Sequence, residues 1–192
     1  MQENSNQNRP AQPLQEMRQA VDLGVGICQV ICSIWPAWLH RPGTAGERFF
    51  GFQAFLGWIF IPIWGGLMYA SEPLWLLLGF WAGTTALLLL HRIRGLARRS
   101  SGQRPHSRYT GRPWLPGNEY RIKTLVEPVL VVVLGGTTLN FDGPLGTYLI
   151  LSGICYFVAG QWQRAMDDAR LRAMKDARDE EMWLRSKLNN QE

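Results

Sequence analysis

Few residues in this chain have the type and spacing to do chemistry. Cys28 and Cys32 are four apart and so share one helix face, with Cys155 far along the chain. A zinc site takes about four ligands, and nothing near the pair supplies the rest. An odd number of cysteines in apolar surroundings also argues against a disulfide framework. The thiols read as buried packing residues, and neither a metal nor a cofactor is expected. His106 and Ser107 are adjacent, but a hydrolase needs a nucleophile, a base and an orienting acid that converge from separate positions, and no acidic partner is evident. No phosphate-binding Walker A loop, H-E-x-x-H, C-x-x-C or glycine-rich dinucleotide pattern occurs. No catalytic residue is therefore expected, and the chain does not read as an enzyme.

Two carboxylates stand beside prolines, in Glu72-Pro73 and Glu127-Pro128. Each suits the first turn of a helix, where the macrodipole favours negative charge and proline is tolerated. Glu127 is the more interesting, because it enters an apolar stretch directly after an arginine-rich segment. It is the candidate acid at a membrane mouth, placed to pair with a loop arginine.

That arginine-rich segment, His91–Lys123, carries nine Lys/Arg against the single acidic Glu119, so it holds more positive charge than the whole chain's net +5. The part from Arg92 to Arg99 reads as the basic flank of a membrane span. The part from His106 to Gly117 adds Tyr109, Trp114, prolines and glycines, the composition of an ordered loop. His106, Arg108, Tyr109, Arg112 and Trp114 form the candidate recognition loop, since Arg with aromatics suits a protein hot spot. Anionic lipid headgroups at this basic loop are a second ligand class, and nucleic acid a weaker third.

The elements that must position these residues follow from hydropathy. Residues 1–16 are Gln/Asn/Pro-rich and read as a disordered polar tail. Residues 17–39 read as an amphipathic or interfacial helix, with Arg18, Asp22, Gly26, Gln29 and Ser33 on one polar or small stripe and Pro36 near its end. Residues 49–160 form the membrane domain: spans Phe49–Ala70 and Leu74–Leu90, then Thr124–Phe141 and Leu145–Gly160. Gly79 and Gly83 make a G-x-x-x-G in the second span, a pattern that lets another helix approach closely. Residues 161–192 read as a cytoplasmic charged helix, free of Gly and Pro, that continues the last span.

The connectors 71–73 and 140–146 contain no Lys or Arg, whereas 40–48, 91–123 and the chain after 160 are rich in them. The positive-inside rule then puts both termini and the basic loop in the cytoplasm, with the protein in a plasma or inner membrane. The expected fold is an all-α integral membrane protein of two transmembrane helical hairpins, with an N-terminal amphipathic helix and a C-terminal cytoplasmic helix. The expected function is that of a non-catalytic component of a multi-protein assembly, contacting other membrane or cytoplasmic proteins through the basic loop and the C-terminal helix. The rival is a small transporter or channel subunit, a homo-oligomer with Gln53, Thr84, Thr85, Thr137, Thr138 and Asn140 along a polar path.

Overall fold

A computed structural model describes residues 12–46, 51–68, 74–102 and 111–189, and the regular elements among them are all helical. Helix α1 spans Gln12–Cys32. It starts five residues before the expected Met17, because Pro13 is tolerated in a first turn and the residues after it are good helix formers. Residues 12–16 thus belong to the helix and not to a polar tail; residues 1–11 lie outside the described residues. The expected single helix over 17–39 is interrupted at Ser33–Ile34, and the short α2 (Trp35–Leu39) starts afresh with Pro36 in its first turn. The reason is Pro36, which has no N–H to give the carbonyl of Cys32 and whose ring would clash with it.

Helices α3 (Phe52–Met68) and α4 (Trp75–Ser100) lie antiparallel. Gly65 meets Leu77 near one end of the pair, and the Trp58 indole stacks on Trp81 at 5.0 Å while donating to Thr85 Oγ1 at 2.7 Å near the other. Helix α4 does not stop at Leu90. The Arg, Ala and Leu that follow are strong helix formers, and they carry it to Ser100. The first ten residues of the basic segment are therefore helix.

The second half of the chain is one hairpin. It begins at α5 (Glu119–Arg121), where Asn118 Oδ1 accepts from the backbone N–H of Tyr120 and Arg121, passes through a π-helical turn at Ile122–Val126, and continues as α6 (Glu127–Thr138). Helix α7 (Gly143–Asn189) returns alongside it and runs on for 47 residues in all. Asp142 caps α7, its Oδ1 accepting the Leu145 N–H at 2.7 Å. Glycines set the closeness of this hairpin. A Cβ on Gly135 would come within 2.7 Å of the Ile150 backbone nitrogen, and one on Gly153 within 2.7 Å of Val132.

The core lies where α1 and α2 wedge between the two hairpins. Ile34, Ile61, Leu77, Val131 and Tyr148 are each fully buried there. Phe80 stacks on Trp38 at 5.2 Å and tilts against Tyr148 at 6.0 Å, tying α2, α4 and α7 together. Helix α1 turns the polar part of its stripe onto α3. Ser33 Oγ donates to the Gln53 carbonyl at 3.0 Å, Gln53 Nε2 donates to Gln29 Oε1 at 3.4 Å, and Gly57 leaves no room for a side chain beneath Ser33.

Helix α4 and the first part of α7 are long and apolar enough to cross a membrane, and α3 is a shorter apolar helix. Only 17% of the most apolar window of α4 is buried, whereas the core helix of a water-soluble protein would be mostly covered. Phe52, Phe55, Leu67, Trp75, Val133 and Phe141 are likewise exposed along the bundle.

Candidate functional site

The site is organised by Pro128, which stands inside a continuous helical run from Glu119 to Thr138. Proline in a helix interior removes one N–H and collides with the carbonyl four residues back, here that of Thr124. The chain relieves this by widening the turn before it: the Glu127 N–H reaches back five residues to the Ile122 carbonyl. The carbonyl of Thr124, which Pro128 cannot satisfy, accepts instead from Gln161 Nε2 of α7 at 3.3 Å. Gly160 keeps α7 close enough for that bond, its Cα facing Thr124 with little space for more than a methyl group.

The widened turn swings Glu127 into the protein. Its side chain is 1% exposed, and its Oε2 accepts from the Tyr156 hydroxyl at 2.6 Å and lies 3.2 Å from His40 Nε2. His40 is equally buried, at the end of α2. Among the described residues, Glu127 Oε1 has no hydrogen-bond partner. Sequence reasoning expected Glu127 either in the first turn of a helix or paired with a loop arginine; it stands in the first turn of α6, and among the described residues its side chain meets no arginine. The π turn runs directly into α6, and the partners of the Glu127 side chain are a histidine and a tyrosine. A buried carboxylate is tolerated only when partnered, so these two contacts hold the acid in place.

His40 is positioned by the basic segment. Residues 39–44 and 111–114 pair in antiparallel fashion: the Arg41 N–H donates to the Arg112 carbonyl at 2.8 Å, and the Trp114 N–H to the Leu39 carbonyl at 3.1 Å. The Arg112 N–H is taken by Thr44 Oγ1 at 2.9 Å. Gly111 has φ +105° and lies against His40 and Thr44, where a side chain would be both strained and crowded. Farther along, His91 Nε2 is 3.1 Å from the Ala37 carbonyl, fixing α2 to α4.

Of the candidate recognition loop, Arg112 and Trp114 are placed, while His106, Arg108 and Tyr109 lie outside the described residues. Trp114 is 56% exposed, with the Arg41 guanidinium 5.8 Å from its ring. The two glycines of G-x-x-x-G part company: Gly83 packs on the Trp38 indole, and Gly79 faces open space. The residues proposed for a polar path are engaged separately. Thr84 accepts from Trp38 Nε1 at 3.0 Å, Thr85 from Trp58, Gln53 pairs with Gln29, and Thr137 and Thr138 donate to the Leu134 carbonyl.

Sequence reasoning missed His40, Tyr156 and Gln161. One signal was present: Tyr148, Ser152 and Tyr156 recur every four residues and make a polar line on the inward face of an apolar helix. The three thiols stay close-packed. Burial, with Cys155 and Cys28 adding to it, pushes the Cys32 thiol up to about 12, so it remains protonated. Among the described residues no group of three or more His, Cys, Asp or Glu could hold a metal ion. No protein-family model, no curated protein and no solved structure matches the chain.

Proposed function

We propose that the chain is a non-catalytic integral membrane component of a multi-protein assembly, and that its partners dock on the end of α7. The observation that carries this is the exposure of α7 from Asp168 to Lys187, where all twenty residues are exposed. At 1.5 Å per residue this is a rod of about 30 Å. It presents Leu171, Met174, Met182, Trp183 and Leu184 exposed. Intrahelical pairs such as Glu181–Arg185 add only a few tenths of a kcal/mol. A partner protein covering these apolar side chains would remove them from water and so add to the stability of the extension.

The membrane placement proposed with it is four crossings in two hairpins. Arg41, Arg94, Arg112 and Lys123 belong to segments that meet at one end of the bundle, where Gly43 touches Arg94 and Arg41 is bonded to Arg112. At the other end, the described turn between α6 and α7 carries no Lys or Arg. The positive-inside rule assigns the first end, with α7's extension and the basic loop, to the cytoplasm. Helix α1 lies along the interface and against the bundle.

Deleting 171–192 tests the docking. Complexes solubilised in mild detergent should run smaller by more than the deleted peptide when the extension is removed, with the bundle still inserted. Full-length protein running as a lone monomer, unchanged by the deletion, would sink the reading. A second reading, a small transporter subunit, is favoured by the buried Glu127, one oxygen of which has no partner among the described residues. Its test is solute or ion flux in liposomes, which Glu127→Gln should alter.

A further inference from the structure

A cleft of about 620 Å³ opens between α1, the start of α3, the π turn and α7, next to the buried acid, with Tyr156 in its wall. Its chemistry is divided. Cys32, Pro36, Ala54 and Ala159 make an apolar floor, while Lys123, Arg164 and Arg170 stand at the rim. Two carboxylates accompany these cations: Glu119 holds Lys123 at 2.6 Å, and Asp167 lies 3.9 Å from Arg170. The Arg164 guanidinium sits 5.4 Å over the Tyr120 ring and has the exposure of the helix surface around it. Three cations against two carboxylates leave one positive charge.

We propose that this cleft binds an anionic phospholipid of the cytoplasmic leaflet, its phosphodiester at the Lys123–Arg164–Arg170 rim and its acyl chains over the apolar floor. A phosphodiester carries one negative charge and so complements the rim. The cleft lies where α7 leaves the apolar span and becomes a charged helix, which is headgroup depth in the proposed topology. The amides of Gln29 and Gln53, held together at 3.4 Å in the wall, offer N–H donors to ester oxygens. The site is distinct from the basic flank of α4 at Arg98 and Arg99, and it rests on the proposed topology rather than on docking by α7.

The test is native mass spectrometry of the full-length protein in mild detergent, titrated with phosphatidylglycerol or phosphatidylcholine of the same chain length. Phosphatidylglycerol should be retained in preference to phosphatidylcholine. Arg164→Gln and Arg170→Gln should each cut that preference by about fivefold, and Arg98→Gln should leave it unchanged. Arg170 is 58% exposed, so its variant folds even if the Arg164 variant does not. Equal retention of the two lipids overturns the proposal, as does a preference that responds to Arg98→Gln and not to Arg170→Gln. Displacement by soluble glycerol phosphate as readily as by the lipid would also overturn it, because the floor would then contribute nothing. None of these outcomes depends on residues 171–192, so the assembly reading stands or falls separately.

Discussion

Glu127 is held by two contacts on one oxygen, so the value of each depends on the other. Tyr156→Phe removes the shorter bond and leaves a buried acceptor more exposed to its own desolvation cost, roughly 1–3 kcal/mol of stability. Replacing the acid as well, in Glu127→Leu with Tyr156→Phe, removes the group that needed satisfying. The double variant should therefore cost less than the sum of the singles by about 1 kcal/mol or more. Detergent-denaturation titrations of the purified protein measure this, and additive costs would mean that the two side chains do not act as a unit. A second residue-scale expectation concerns Cys32. Burial pushes its thiol up to about 12, so very little of it is thiolate at pH 8. Alkylation at pH 8 followed by peptide mass spectrometry should label it far more slowly in the folded protein than after denaturation, and equal rates would contradict its burial.

At the scale of elements, the bond from Gln161 to Thr124 exists because Pro128 orphaned that carbonyl. Gln161→Leu should cost roughly 1–3 kcal/mol in the native chain. In a Pro128→Ala background the new N–H can take the Thr124 carbonyl itself, so the same Gln161→Leu change should become nearly neutral. Equal costs in both backgrounds would separate the π turn from the proline. The α6–α7 hairpin has a parallel sensitivity: Gly135→Ala must push the Ile150 backbone away and should destabilise by roughly 1–3 kcal/mol, whereas Gly136→Ala meets nothing within 4 Å. The sequence makes some of this legible and not the rest. The continuity of α7 was readable, since no breaker follows Gly160. The break at Ser33–Ile34 was half readable, because Pro36 fixes that a break occurs but not that α2 restarts so soon. The buried cluster was not readable, because His40 and Glu127 are 87 residues apart and meet only once residues 111–114 zip onto 39–44. Nor was the π turn, since whether a proline bends a helix or widens its preceding turn depends on what lies beside it, here Gln161.

For the whole molecule, charge and exposure combine into a statement about sidedness. Phe141 is 84% exposed in the turn that carries no basic residue, and Arg178 is exposed on the extension of α7. The segment between them, from Gly143 onward, is one of the two helices apolar and long enough to cross a bilayer. If it does cross, a thiol at 141 and a thiol at 178 must lie on opposite sides. The natural cysteines interfere little, because Cys32 and Cys155 are buried and Cys28 is half-buried. A membrane-impermeant maleimide added to intact cells should label Phe141→Cys and spare Arg178→Cys. Inverted vesicles should reverse the pattern. Labelling of both positions from the same side would mean that α7 does not cross, and the orientation drawn from Arg41, Arg94, Arg112 and Lys123 would go with it. Labelling of Arg178→Cys alone in intact cells would keep the crossing and invert the protein, against the rule that Lys and Arg gather on the cytoplasmic side.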